Sequence, residues 1–268
     1  MKFHLALLAL LTLTAAADLP QMSDKTRWLG YFVGWEEKDF DYGFGADGKA
    51  IMHYVNKGEP ASHTDFTVKL NLQEKIKNRW VTRKLVEDGL ATNDLASLDP
   101  KKPVTHTMTV TGDTKVEVIQ TLSKGRIIIK PKILEKKTEN EVRFTMTFGV
   151  PNFFRHTKAE TEKEFKKLMR SDYIAMRRAD NGKKVKIKLY EKGIDLSSDK
   201  MIPKGASEFE FSSKRMGGKS YTLEQGSEKV GVFQVEQRQN FYEGLKIEWI
   251  PDQEKLGGKD AYVSFAIN

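Results

Sequence analysis

The chain reads as a mostly β protein, an antiparallel β-sandwich with one inserted amphipathic helix. Three observations predict this. Apolar residues recur at every second position through most of the sequence, turn pairs containing glycine separate these runs, and a single segment repeats at three and four residues instead.

The first residues do not belong to that pattern. Met1-Lys2-Phe3-His4 leads into an apolar run from Leu5 to Leu13, and Ala15-Ala16-Ala17 precede Asp18. A short positive start, a short apolar core and a small-residue cleavage site are the parts of a secretory signal peptide, here residues 1–17. The expected location is therefore the periplasm or the exterior of a bacterial cell. The run is too short to span a bilayer, and no later stretch approaches the length a transmembrane segment requires. The 268 residues include no cysteine, so an exported chain of this kind relies on the size of its core instead of disulfides.

Strands follow in order. Trp28 to Trp35, Phe40 to Phe44, Ala50 to Val55, Asp65 to Leu72 and Trp80 to Leu85 form the first group, with Asp47-Gly48 supplying a tight turn. Val104, His106, Met108 and Val110 alternate with three threonines, and Lys115 to Gln120 and Arg126 to Lys130 continue the series. Val142, Phe144, Met146 and Phe148 share one face against Arg143, Thr145 and Thr147. Beyond the helix, Val185, Ile187 and Leu189 alternate with lysines. Ser207 to Phe211, Tyr221 to Glu224, Val230 to Gln237, Leu245 to Trp249 and Ala261 to Ile267 complete the set, with turns at Asn181-Gly182, Gly217-Gly218 and Gly257-Gly258.

The helix is expected from Lys158 to about Arg178, or as two shorter helices broken near Ser171 and Asp172. Thr157 and Glu160 have capping-box spacing, and Phe165, Leu168, Met169, Tyr173 and Met176 make one apolar stripe. It divides the chain into an N-terminal β-rich unit at 18–150, a helical connection at 151–180 and a C-terminal β-rich unit at 181–268. One large sandwich and two packed smaller ones are both compatible with this pattern.

Composition narrows the chemistry. Without cysteine there is no thiolate nucleophile and no cysteine-ligated metal. No G-x-S-x-G, H-E-x-x-H or phosphate-cradling glycine loop appears. His53 and His63 stand ten residues apart with no fixed carboxylate pattern beside them, and Asp39, Asp41 and Asp47 do not follow a calcium-loop series, so no metal or cofactor is expected. Glu236 and Glu248 on adjacent strands are the carboxylate pair a glycosidase would need, and Arg238, Tyr242, Lys246 and Trp249 are the pieces a polysaccharide lyase would need, but neither set has a diagnostic spacing.

Two features suggest binding. Trp28, Tyr31, Phe32, Trp35, Phe40, Tyr42, Phe44 and Tyr54 crowd one stretch, as core or as a platform for sugars. Lys184, Lys186 and Lys188 place ammonium groups along one strand face, as edge protection or as an anion-attracting row, in a chain of formal net charge +8. The candidate ligand-contacting residues are therefore Trp28, Trp35, Tyr54, Lys184, Lys186, Lys188, Arg238 and Tyr242. The expected function is a non-enzymatic binding or structural role at the envelope or outside the cell, toward glycans or anionic polymers. The alternative is a carbohydrate-active enzyme, a glycoside hydrolase or polysaccharide lyase, on a sandwich scaffold. Export argues against a nucleic-acid partner.

Overall fold

A computed structural model describes residues 28–92, 99, 101–151, 161–188, 201–227, 230–235 and 244–268. The expected signal peptide at residues 1–17 lies outside the described residues.

The strands in chain order are β1 (Tyr31–Glu36), β2 (Phe40–Gly45), β3 (Lys49–Asn56), β4 (Glu59–Ile76), β5 (Arg79–Arg83), β6 (Leu85–Thr92), β7 (Val104–Val110), β8 (Thr114–Ser123), β9 (Arg126–Glu135) and β10 (Val142–Val150). One short helix, α1 (Glu162–Leu168), follows. Then come β11 (Tyr173–Arg178), β12 (Lys184–Lys188), β13 (Ala206–Ser212), β14 (Ser220–Gln225), β15 (Gly231–Val235), β16 (Leu245–Pro251) and β17 (Val263–Ile267). The protein is a mostly β domain with one short helix, and every ladder between named strands is antiparallel.

The ladders form one network with two arms. The first runs β1-β2-β3-β4-β10-β16-β15, with β5 on the far end of the long strand β4. The second runs β12-β11-β13-β14-β17-β9-β8-β7-β6. They join where Ala206 of β13 pairs with Phe233 of β15, and where β5 passes through Lys84 into β6. The sheet curls so that the arms face each other. Phe66 of β4 stacks on Tyr221 of β14 at 4.0 Å, Phe148 of β10 meets Phe265 of β17 edge-on at 5.7 Å, and Tyr42 of β2 donates to Gln120 of β8. One buried cluster fills the space between.

That cluster draws on both halves of the sequence. β10, which ends at Val150, is flanked by β4 and β16, and β17 is flanked by β14 and β9. The hydrogen-bond network therefore runs across the expected division at 151–180.

Alternation is the cause of the architecture. In β7, Val104, His106, Met108 and Val110 are buried while the threonines between them are partly exposed, and β8 repeats the pattern. Two strands are buried on both faces along their whole length, and each has a physical reason. Over β2, the Trp28 indole lies on the outer face in slots left by Gly34 and Gly43, where a Cβ would come within 2.4 and 2.5 Å of ring carbons. Over β17, the small side chains of Ser264 and Ala266 leave room for Arg126, whose guanidinium donates to Ser264 at 3.2 Å and to Thr222 at 3.3 Å.

The helix expectation needs correction. α1 ends at Leu168, and the segment expected to continue it is strand β11, paired with both β12 and β13. The break falls at Ser171-Asp172, where Asp172 accepts from Ser213 Oγ at 3.0 Å and from the Lys214 amide at 2.8 Å and so caps a short 3-10 turn of the next hairpin. Beyond it, Ile174 and Met176 reach the core from a strand. The cap is also displaced. Thr161 and Glu164 exchange the two reciprocal bonds of a capping box at 3.2 and 3.3 Å, whereas Thr157 and Glu160 lie outside the described residues. A second difference is β6, which carries strand structure beyond Leu85, where the expected strand Trp80 to Leu85 ends.

Candidate functional site

The aromatic residues proposed as a platform are core. Trp28 is 3%, Trp35 0% and Tyr54 4% exposed. Trp28 donates from Nε1 to Glu36 at 2.9 Å and meets Tyr31 edge-on, Trp35 stacks on Tyr42 at 5.8 Å, and the Tyr54 hydroxyl sits against Gly217. None of the three offers a ring face to a ligand in solvent.

The lysines lie on β12, whose one ladder partner among the described residues is β11. Lys184 pairs with Glu210 at 3.0 Å, and the Lys186 ammonium stands 3.5 Å over the Tyr173 ring. Lys188 is exposed at the end of the row. The register explains the pairing: Lys184 and Lys186 lie opposite Arg177 and Ala175 of β11, which lie opposite Glu208 and Glu210 of β13. Arg177 bonds Glu208 at 2.9 Å, and Tyr173 donates to Glu210 at 2.6 Å. Burial alone would raise the Glu210 pKa, but the Tyr173 hydroxyl and the Lys184 ammonium outweigh it and hold the carboxyl below its usual range. This face is thus internally compensated. Arg238 and Tyr242 lie outside the described residues, as does Glu236.

The described metal candidates do not converge, and the His63 side chain lies outside the described residues. His53 bonds Asp65 at 2.8 Å, Asp39 pairs with Lys219 at 2.8 Å, Asp47 pairs with Lys49, and Asp41 is buried. Among the described residues no group of three or more His, Asp or Glu is placed to hold a metal ion.

What sequence reasoning missed is the outer face of the first arm. Of the four tryptophans, Trp28, Trp35 and Trp249 are buried, and Trp80 on β5 is the one partly exposed. The Arg143 guanidinium lies over the Trp80 ring at 4.2 Å, with Lys75 at 5.7 Å. Antiparallel pairing assembles the set, since Lys75 faces Trp80, Gln73 faces Thr82 on one side and Arg143 on the other, and Thr147 faces Glu248. Arg143 donates from Nε to Gln73 Oε1 at 2.6 Å, and Gln73 passes the contact on through Nε2 to Glu248 at 3.4 Å. Partial burial lowers the Arg143 pKa, while the fields of Glu248 and Glu141 act against that shift. A half-buried indole with planar amide, guanidinium and carboxylate groups beside it is a surface that can stack on one ligand face and hydrogen-bond another. The available signal was the alternation of Arg143 with Phe144, which marks Arg143 as outward-facing; its neighbours came from long-range register alone.

No family model matches the chain, and no curated protein does. Among solved structures, the fold is similar to that of the α-N-acetylgalactosaminidase NagBb from Bifidobacterium bifidum in complex with GalNAc, with a TM-score of 0.52 and 8% identity over 88% of this chain. The chain spans 35% of the length of that enzyme, so the likeness is to part of a larger molecule and is one of fold.

Proposed function

We propose that this protein is carbohydrate-active, an exported β-sandwich scaffold whose first arm presents the outer surface around Trp80, Arg143, Gln73 and Glu248 to a glycan. The single observation behind this reading is the fold similarity to a glycosidase over 88% of the chain. The Trp80 surface supports it by combining an accessible indole with several planar hydrogen-bonding groups. Incubation with neutral, amino-sugar and uronate-containing polysaccharides, followed for new reducing ends and for retention on the insoluble polymer, tests it. New ends or retention support the reading, and the absence of both refutes it.

A non-enzymatic binding role is the second reading, favoured by one observation. Each described carboxylate with a resolved pKa shift, namely Glu74, Glu135, Asp180 and Glu210, is shifted downward by hydrogen bonds and cations and is therefore ionised at neutral pH. A glycosidase general acid needs the opposite shift. Retention without new reducing ends selects this reading over catalysis.

A further inference from the structure

The Arg143 side chain differs from four other arginines. Arg177, Arg178, Arg83 and Arg126 each close an ion pair, with Glu208, Asp180, Glu74 and Glu224. Arg143 closes none with a described residue. Its Nε is committed to Gln73 and its plane rests on the Trp80 indole. The two nearby carboxylates are engaged elsewhere, Glu141 with Lys75 at 2.9 Å and Glu248 with Gln73.

The result is a guanidinium fixed at its Nε edge and on one face, whose two terminal nitrogens have no hydrogen-bond partner among the described residues. A guanidinium held in this way has already lost much of its side-chain freedom, and its fork matches the two oxygens of a carboxylate. Partial desolvation strengthens such a contact, because the charge is less screened than that of a fully solvated lysine. On the same face, Thr82 lies beside Gln73, and Asn71 donates to Thr147 at 2.9 Å. The Thr82 and Thr147 hydroxyls therefore share this face with the fork, as a polyhydroxylated ligand requires.

We propose that Arg143, presented by Trp80 and Gln73, is a carboxylate-binding element and that its ligand is a uronate residue of an acidic glycan. This rests on the reading of the protein as carbohydrate-active and names the substrate class for that surface. Glu141 and Glu248 tune the site by opposing a dense polyanion while admitting a single carboxylate, which separates a uronate from a heavily sulfated chain.

The test uses the full chain and the intrinsic fluorescence of Trp80, the one tryptophan near the fork that is open to solvent. Trigalacturonate, neutral galactotriose, a sulfated oligosaccharide and succinate are titrated into the wild type and Arg143→Lys by fluorescence, and into Trp80→Phe, which lacks that reporter, by calorimetry, with a thermal melt of each variant. The expected result is saturable trigalacturonate binding that Arg143→Lys weakens about tenfold, or about 1.4 kcal/mol, with the melting temperature held within a few degrees. Galactotriose binding that Arg143→Lys leaves unchanged, without any uronate preference, overturns the carboxylate site and leaves the glycan reading standing. Succinate binding that depends on Arg143, with no saccharide binding, overturns the uronate assignment and the glycan reading together. Preference for the sulfated probe, or unweakened trigalacturonate binding in Arg143→Lys, also overturns the proposal.

Discussion

His106 makes the core sensitive to acid in a defined window. Its ring is fully buried on β7, 4.7 Å from Phe44 and 5.9 Å from Phe32, and neither ring nitrogen has a partner among the described residues. Burial lowers its pKa from 6.5 to about 4, because nothing nearby compensates a positive charge. Above pH 6.5 the imidazole is neutral in both the folded and the unfolded chain. Below 6.5 the unfolded chain takes up a proton that the native core refuses, so stability falls with pH until the folded pKa is passed. The gap between 6.5 and about 4 corresponds to a loss of about 3 kcal/mol, with a limiting slope of about 1.4 kcal/mol per pH unit.

Against a typical stability of about 5–15 kcal/mol this is a large fraction, and urea unfolding at steps from pH 7.5 to pH 4 would measure it. His106→Leu is the informative variant. It is close in volume, and the histidine it replaces makes no hydrogen bond to a described residue that would be lost. The expected outcome is stability at pH 7.5 equal to wild type within about 1 kcal/mol, with a shallower fall toward pH 4. Parallel profiles for the two proteins would refute the reasoning, since the titrating group would then lie elsewhere. A loss of more than about 3 kcal/mol in the variant at pH 7.5 would also refute it, because the ring would then have to be held by a partner.

Glu74 governs a lower window. It accepts from Asn140, Thr138 and Arg83, which hold its pKa at about 2, so its contribution is present above about pH 4.5 and is lost as pH falls toward 2; Glu74→Gln is expected to cost about 1–3 kcal/mol at neutral pH and to flatten that part of the profile. Gly34→Ala should destabilise by about 1–3 kcal/mol in thermal melts, because its Cβ would meet the Trp28 ring at 2.4 Å, and Trp28→Ala in the same background should recover part of the strain. Replacing Lys184, Lys186 and Lys188 together by threonine should leave the melting temperature within a few degrees and raise light scattering on concentration, since β12 would lose its charged edge.

The sequence made the strands legible because the buried face repeats every two residues and the turns carry glycine, as with Gly182 at φ 70° between β11 and β12. It misled at Tyr173 to Arg178, where steps of four and three from Phe165 through Met169 and Tyr173 to Met176 imitate a helical stripe. Pairing with β12 across the Gly182 turn and with β13, which lies further along the chain, decided that segment. The aromatic cluster was legible as a cluster and not as a location. Trp28 reads as a platform residue until Gly34 and Gly43 are placed beneath it. For Arg143, local sequence places the residue outward, but its stacking on Trp80 depends on β4 lying between β5 and β10, a contact no short motif encodes.

The distribution of charge explains why a basic protein need not be a general polyanion binder. The formal net charge of +8 creates a long-range field, yet the outer face of the second arm spends much of its charge internally, through Lys184 with Glu210, Arg177 with Glu208 and Arg126 with Glu224. Exposed pairs of this kind contribute little stability, about 0–1 kcal/mol each, and they remove the isolated cations that would capture a polymer. The inner faces are saturated with aromatic packing, so neither they nor Trp28, Trp35 and Trp249 are available to a ligand. Among the described residues, what remains is the outer face of the first arm, where one indole is partly exposed and one guanidinium lies on it without a closed ion pair. On the proposed carbohydrate-active reading, net charge would govern how fast an anionic glycan arrives, and the Trp80 surface whether it stays.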